Sequence, residues 1–502
     1  MFKPKREAAV PQHGCLFPII IYDYLKMIRL LRTLFFSIGL LLSVLPVCSQ
    51  IQQVHILSVN DMHAAIDRFP QLAGVVDSLR QLYPDLLLLS AGDNRTGNPV
   101  NDQYPEPCQP MVTLMNQLGF NYSALGNHEF DNDVATLRHV VNNSNFRYLC
   151  ANLEAADSLR LHVEPFRIWQ QAGLRIALLG LVQVGEAGHP DAHPDHFRGL
   201  TFRDPFETVR EYAWLRQVSD LFIVLSHLGY EEDLRLAAQF PEIDLIIGGH
   251  THTKVVDGER VGPVLVTQAA RDLQYATETT LTFEAGKLIE KEAHLIDIAG
   301  RSQPDSVVQA LVDQFNDNPF LQRVLTTAEC FTCREELGCL MADAVRSLTQ
   351  ADIAIQNAGG VRYETKPAGD FTVADVYRLD PFGNEVIQYE LTGHEVEEML
   401  AAVCRADGYG PAYVSGIRYQ IKLGKDHQDV RKIKLWQEDG TKFDRRRIYR
   451  VAMSSYLASV VDHPKAQAGE NRYLVTSDLL MHYLEQQSRV DYRGVSRMKW
   501  SH

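Results

Sequence analysis

The chain has 502 residues, 45% of them hydrophobic and 22% charged. That is enough for a sizeable core and too long for one ordinary domain, so two domains are expected. A formal net charge of −14 argues against a general nucleic-acid binder, which needs a basic face to neutralise phosphates; an acidic protein can still hold a phosphate where bound cations reverse the local field.

In chain order, residues 1–49 read as lying outside the fold. From Met27 the chain runs MIRLLRTLFFSIGLLLSVLPVCSQ, in which Arg29 and Arg32 precede an apolar core over 34–45 and small residues at Val47 and Ser49. This has the form of a secretory signal peptide and is too short to span a bilayer comfortably as a retained anchor. The expected cut falls before Gln50. Lipid attachment at Cys48 is the alternative, against which Val47 is bulky. The 26 residues upstream read as an overextended start. The protein is therefore expected to be exported, periplasmic or secreted, with no transmembrane span in the mature chain. The C-terminal DYRGVSRMKWSH has no apolar tail of the kind a C-terminal lipid anchor requires.

The first half alternates short apolar runs with amphipathic stretches. VHILSVN (54–60), DLLLLSAGD (85–93), YSALGNH (122–128), RIALLGLV (175–182), LFIVLSH (221–227) and DLIIGGH (244–250) read as buried strands. QLAGVVDSLRQLY (71–83) and CQPMVTLMNQLG (108–119) read as helices between them. Near-continuous apolar strands alternating with helices imply a layered α/β domain whose sheets are covered on both faces, placed at 50–300. Residues 301–324 are expected to form a linker helix. A second α/β domain is expected over 325–502, with a helix at GCLMADAVRSL, a strand in ADIAIQNAGGVR, and hairpin-like runs VIQYELTG and VSGIRYQIKLG. No internal repeat or low-complexity tract stands out.

Chemistry-bearing residues follow the strands. Asp61 and His63 follow the first run, Asp93 ends the second, and Asn127 with His128 ends the third. His227 ends the fifth run, and His250 and His252 follow the sixth. Ligands collect beyond the carboxyl ends of strands in α/β sheets, so parallel strands would bring these ends to one crevice. The oxygen and imidazole donors suit Zn, Mn or a similar divalent ion better than Ca or Mg. Seven residues, Asp61, His63, Asp93, Asn127, His227, His250 and His252, are too many for one tetrahedral ion and fit two ions sharing a carboxylate. Two ions roughly 3.5–4 Å apart can clamp a phosphoryl oxygen and generate hydroxide near neutral pH.

The motifs DMH, GD, GNHEFD, SHLG and GGHTH, in that order, resemble those of calcineurin-like metallophosphoesterases. The chain over about 51–500 resembles their two-domain secreted branch, the 5′-nucleotidase/UDP-sugar hydrolase/cyclic phosphodiesterase family. The resemblance implies a metallophosphoesterase sandwich, a linker helix and a second α/β substrate-specificity domain. It implies that Asp61, His63, Asp93 and His252 hold one ion and that Asp93, Asn127, His227 and His250 hold the other, with Asp93 bridging. His128 would face the substrate phosphate and Asp131 would orient its ring, while Glu129 would serve the turn.

In the second half, NAGGVR matches the family's Asn-x-Gly-Gly-x-Arg loop, giving Asn357, Gly359, Gly360 and Arg362 as substrate-binding residues. LDPFGNEV and LTG also match. YRVAMSSYLASVVDHP resembles the segment bearing a base-stacking aromatic and a ribose-binding carboxylate, here Tyr456 and Asp462. The chain departs from the pattern at Val460 and Val461, where the family has two glycines. It departs again at Pro411, where a second stacking aromatic is expected and Tyr413 is the substitute, and at Cys339, where the family has Asn.

Other features have plainer readings. Of eight cysteines, Cys15 and Cys48 fall in the leader. Cys108, Cys150, Cys330, Cys333, Cys339 and Cys404 remain in an exported chain, where disulfides can form. Cys330 and Cys333 form a single C-x-x-C, expected to be a structural disulfide or inert thiols. GHPDAHPDHF (188–197), with His189, His193 and His196, reads as a mobile surface loop, at most bordering the substrate entrance, rather than a third metal site. DRRRIYR (444–450) reads as a solvated strand edge. The absence of a Gly-x-x-x-x-Gly-Lys loop removes support for an ATP-driven motor or kinase.

The expected activity is release of phosphate from 5′-nucleotides by attack of metal-bound hydroxide, using two divalent ions. A 2′,3′-cyclic nucleotide, a nucleotide sugar or another organic phosphate is the alternative substrate. A non-catalytic nucleotide-binding protein is disfavoured by the complete ligand set. The expected partner is a small phosphate ester, not a nucleic-acid polymer, and the oligomeric state stays open.

Overall fold

The structure, a computed structural model, describes Met27 and residues 51–185, 187–406, 411–424, 430–461 and 468–501. Apart from Met27, the leader, including the cut before Gln50 and Cys48, lies outside the described residues, as does Asp462.

The first half builds two six-stranded sheets, with a small antiparallel pair, Leu153–Ala155 and Leu200–Phe202, beside them. The strands are β1 (Ile51–Val59), β2 (Leu87–Ser90), β3 (Tyr122–Ala124), β4 (Arg147–Leu149), β5 (Phe166–Gln171), β6 (Leu174–Val182), β7 (Leu221–His227), β8 (Leu245–Ile247), β9 (Glu259–Val261), β10 (Val264–Thr267), β11 (Tyr275–Glu284) and β12 (Lys287–Asp297). One sheet has the order β12-β11-β1-β2-β3-β4, the other β9-β10-β8-β7-β6-β5. The strands β1 to β4 run parallel, as do β6, β7, β8 and β10.

The inner strands, such as β2, β7 and β8, are apolar on both faces because they border two cores. Ile56, Leu87 and Leu89 of one sheet meet Ile176, Leu178, Ile223 and Leu245 of the other. On the outer face of the first sheet, Leu57, Val59 and Leu88 pack on Leu72, Val76 and Leu79 of helix α1 (Phe69–Leu82) and Leu114 of α2 (Gln109–Leu118). On the outer face of the second, Leu179, Phe222 and Val224 pack on Val209, Leu236 and Phe240. The result is a helix–sheet–sheet–helix sandwich, in which fully burying each Leu or Ile contributes about 1.5–3 kcal/mol.

The expected single linker helix is two. Helix α3 (Ser306–Asn316) is capped by the Asp305 carboxylate, which accepts from the Val307 and Val308 N–H groups, and α4 (Pro319–Gln322) begins after Asn318. Pro319 has no N–H to continue the ladder, and its ring disfavours helical backbone at Asn318.

In the second half, α5 (Arg334–Thr349) covers a mixed sheet. Its strands are β13 (Ile353–Asn357), β14 (Glu385–Thr392), β15 (Ala412–Ser415), β16 (Ile448–Ser454) and β17 (Glu470–Val475), in the order β15-β13-β16-β14-β17. VSGIRYQIKLG does form a hairpin, pairing 417–423 with 430–437. VIQYELTG instead pairs with β16 and β17, both distant in sequence. DRRRIYR leads into β16, an interior strand rather than an edge, and Arg447 pairs with Asp352 at 3.3 Å.

Cys108, Cys150, Cys330, Cys333, Cys339 and Cys404 are free thiols, so Cys330 and Cys333 carry no disulfide. Burial pushes the Cys108 thiol up to about 11 and those of Cys150 and Cys339 up to about 12. Among the described residues no helix is long and apolar enough to cross a membrane.

Candidate metal centre and active site

The loops beyond the parallel strands carry unusual backbone. Asp61 (φ 47°), His63 (46°), Asp93 (51°), His250 (76°) and His252 (57°) all sit in the left-handed region. Each such non-glycine residue costs about 1 kcal/mol or more and persists only where its surroundings over-determine it. Here they do. The Asp61 N–H donates to the Gly92 carbonyl and the His63 N–H to the Asp93 carbonyl, each at 3.0 Å. The His250 N–H donates to the Asp61 carboxylate at 3.0 Å, and the His128 N–H to Asp93 Oδ1 at 2.8 Å.

Glu129 does more than serve its turn. It is fully buried and accepts from the Asp93 and Asn94 N–H groups at 2.9 Å and from the Gly126 N–H at 2.6 Å. It thereby fastens the Asp93 loop to the Asn127–His128 loop. Asn60, which sequence reasoning passed over, plays a matching part: its Nδ2 donates to Asp61 Oδ2 and to the Ala270 carbonyl, both at 2.6 Å.

All seven candidate ligands converge. His227 Nε2 lies 3.1 Å from Asp93 Oδ2 and 3.9 Å from Asp61 Oδ1, and His252 Nε2 lies 3.5 Å from Asp61 Oδ1. His63 Nε2 and His252 Nε2 are 3.1 Å apart, and Asn127 Oδ1 is 3.0 Å from His250 Nδ1.

The tautomers decide whether a cation fits. His227 Nδ1 donates to the Ala91 carbonyl at 2.7 Å and His63 Nδ1 to the Thr96 carbonyl at 3.0 Å. With the rings neutral, as metal ligands must be, their Nε2 lone pairs would face other acceptors. His227 Nε2 is buried without a hydrogen-bond partner, opposite a carboxylate. Acceptors facing acceptors at such distances are reconciled by positive charge between them, and the backbone carbonyls behind the rings fix the ligating nitrogens. The donor set fits divalent ions.

Protonation energetics agree. Burial lowers the pKa of His250 to about 4 and that of His252 to about 3, leaving neutral rings with lone pairs. Burial also opposes charge on His227, but Asp93 and Asp61 outweigh it and raise its pKa to about 10; that proton marks a place for a metal cation. Burial acts against a charged His128 as well, yet Asp131 and Asp93 raise its pKa above the ordinary value. His128 Nδ1 lies 2.6 Å from Asp131 Oδ2.

A cavity of about 500 Å³ opens on this cluster and takes walls from both halves of the chain. Asp93, Asn127, His128, Asp131, His250 and His252 line it on one side, and Asn357, Gly359, Gly360, Arg362 and Tyr456 on the other. Phe382, which sequence reasoning left unassigned within LDPFGNEV, also lines it. Its ring lies 6.3 Å from that of His128 at 20°, with the Arg362 guanidinium 5.7 Å from its centroid. Asn384, also unassigned, accepts from the Tyr456 N–H at 3.2 Å. The match of LDPFGNEV to the family pattern pointed to this stretch, but only the fold shows which of its side chains reach the cavity.

Tyr413 corrects the sequence expectation. It is 4% exposed, belongs to the apolar core and is not among the residues lining the cavity. Its ring occupies the space left by Gly338 on α5, where a Cβ would overlap it. Val461 is likewise buried, and Val460 packs against the same apolar cluster.

A calcineurin-like phosphoesterase family model matches residues 54–254, and a 5′-nucleotidase C-terminal domain model matches residues 312–468. The chain is similar to a 5′-nucleotidase of Vibrio cholerae serotype O1, 28% identical over 479 residues, 81% of this chain and 83% of the relative. It is similar to protein UshA of Yersinia enterocolitica, 26% identical over 486 residues, 83% of this chain and 86% of the relative. Among solved structures, the 5′-nucleotidase precursor from Thermus thermophilus shares the fold with a TM-score of 0.77 at 24% identity, covering 89% of this chain and 99% of the other.

Proposed function

Since the chain belongs to the 5′-nucleotidase family of metallophosphoesterase hydrolases, we propose that it is an exported dinuclear-metal enzyme that releases phosphate from 5′-nucleotides. The observation that carries this reading is the shared cavity, in which the His/Asp cluster and His128 face Arg362, Asn357 and Tyr456. The domain limits we assign are 50–300, 301–324 for the linker and 325–502. Export rests on the basic-then-apolar leader at 27–49.

Asp61, His63, Asp93 and His252 would hold one divalent ion, and Asp93, Asn127, His227 and His250 the other. Bound there, the pair supplies Lewis acidity and an activated water near neutral pH. The protein's own residues do the rest. Arg362 pairs with the phosphate, since a planar guanidinium can donate two parallel N–H bonds to two oxygens of an oxyanion. His128, in the charged form that Asp131 and Asp93 favour, keeps one N–H on Asp131 through Nδ1, presents Nε2–H to the developing charge and gives that proton to the leaving alkoxide, the ring becoming neutral. Tyr456 offers a ring for base stacking, which tolerates any base.

The second reading keeps this machinery and changes the ester. The burial of Tyr413 and the packing of Val460 and Val461 favour a nucleoside pocket unlike the family's usual one, and so a cyclic nucleotide, a nucleotide sugar or another organic phosphate. Phosphate release from AMP, UDP-glucose and a 2′,3′-cyclic nucleotide, with and without chelator, tests both. Activity on AMP that is abolished by chelator and restored by Mn or Zn supports the first reading. Activity on none of them counts against both.

A further inference from the structure

The histidine-rich loop at 188–197 is left unused by the metal centre, and it is not a free surface loop. The Asn127 Nδ2 donates to the Asp191 carbonyl at 3.2 Å. The turn Pro194–Phe197 sets the buried Phe197 ring 5.4 Å from Phe130, the residue between Glu129 and Asp131, and His189 stacks on Phe197 at 4.5 Å. The loop is thus anchored to the same turn that carries His128, and Asp191, His193, Asp195 and His196 form one wall of the cavity.

Backbone partners fix both ring tautomers on this wall. The Asp195 N–H can only donate, and it does so to His193 Nδ1 at 3.2 Å. His193 Nδ1 is therefore the bare nitrogen and Nε2 carries the hydrogen. The Phe130 carbonyl can only accept and lies 2.8 Å from His196 Nδ1, so Nδ1 carries a hydrogen there, and in that tautomer Nε2 is the acceptor. Burial, with His196 nearby, lowers the His193 pKa and keeps that ring neutral. The ring centroids are 5.3 Å apart. The wall therefore offers one N–H donor beside one nitrogen acceptor.

A hydroxyl both donates and accepts, which matches this pair; a phosphate oxygen only accepts. The Asp191 and Asp195 carboxylates on the same wall would repel a second phosphate, although Arg198 offsets Asp195 in part at 2.9 Å. We propose that His193 and His196 are specificity-determining residues that hydrogen-bond the hydroxyl groups of a neutral, sugar-bearing leaving group. This deepens the functional reading above and rests on it.

The test compares kcat/KM for AMP with that for 2′,3′-dideoxy-AMP, which shares base and phosphate and lacks the hydroxyls. In His193→Ala and His196→Ala the ratio should fall about tenfold, through KM for AMP, as expected when one hydrogen bond to a substrate hydroxyl is lost. His193→Gln, which keeps a donor near the place of Nε2, should retain more of the ratio than His193→Ala. Thermal unfolding of each variant separates a folding defect from a binding one. A wild-type enzyme that turns over AMP but whose ratio is unmoved by either substitution, or whose two substrates decline in parallel, overturns this inference alone. A wild-type enzyme that releases phosphate from neither substrate overturns the functional reading, and the inference with it.

Discussion

Asp131 Oδ2 approaches His128 Nδ1 to 2.6 Å, and both groups line the cavity beside Asp93. The carboxylate takes the Nδ1–H, so the Nε2–H of the charged ring is the one left to meet substrate. His128→Ala should lower kcat by about 10²–10⁴-fold, the usual worth of a positioned acid or base, while metal content measured by elemental analysis holds. Loss of metal in this variant would place His128 among the ligands instead.

The same pair sets a pH dependence. Burial opposes the charged ring, but Asp131 and Asp93 raise the His128 pKa above 6.5. A group whose pKa is higher in the folded state contributes stability that is fully present below the unfolded value and is lost as pH rises through the folded one. Asp131→Asn removes a carboxylate that favours the charged ring. The alkaline limb of the kcat–pH profile should therefore move to lower pH. A limb that stays in place in that variant would count against His128 as the proton donor.

Asp93 is nearly fully buried and faces His227 at 3.1 Å while accepting from the His128 N–H. Asp93→Asn removes the charge that two ions would share, so metal occupancy itself should drop along with activity. Equal metal loss in Asp93→Asn and His128→Ala would erase the proposed division of labour.

Gly126 bears on the same carboxylate through space rather than through its backbone angle. A Cβ there would overlap Asp93 Oδ1. Gly126→Ala should therefore displace Asp93 and weaken metal binding by an order of magnitude or more, as misplacing a ligand or its support does. Isothermal titration with Mn or Zn would read this, and an unchanged affinity would refute the close contact.

Glu129 accepts with both oxygens, Oε1 from the Asn94 N–H and Oε2 from the Asp93 and Gly126 N–H groups. In Glu129→Gln either amide orientation sets an NH₂ against a backbone donor. The substitution should cost about 2 kcal/mol or more, since hydrogen bonds to buried charged groups are worth about 1.5–3 kcal/mol, and thermal unfolding should shift down accordingly. An unfolding midpoint equal to wild type would mean that the two loops are held together by something else.

The sequence by itself determined the metal-bearing half of this protein. Apolar runs such as 221–227 and 244–250 read as strands buried on both faces, and a chain that builds parallel strands delivers whatever follows each of them to one edge; Asp61, Asp93, Asn127, His227 and His250 could be placed together from local pattern alone. The break before Pro319 was also written in the sequence, in a residue that cannot continue a helix. Tertiary structure alone decided the rest. Tyr413 packs into the gap at Gly338, Phe382 comes to lie beside His128, and the loop at 188–197 becomes a cavity wall through Phe197 on Phe130. Each of these contacts joins segments far apart in the chain, and such contacts depend on how elements pack and in what register, which no periodicity within one segment encodes.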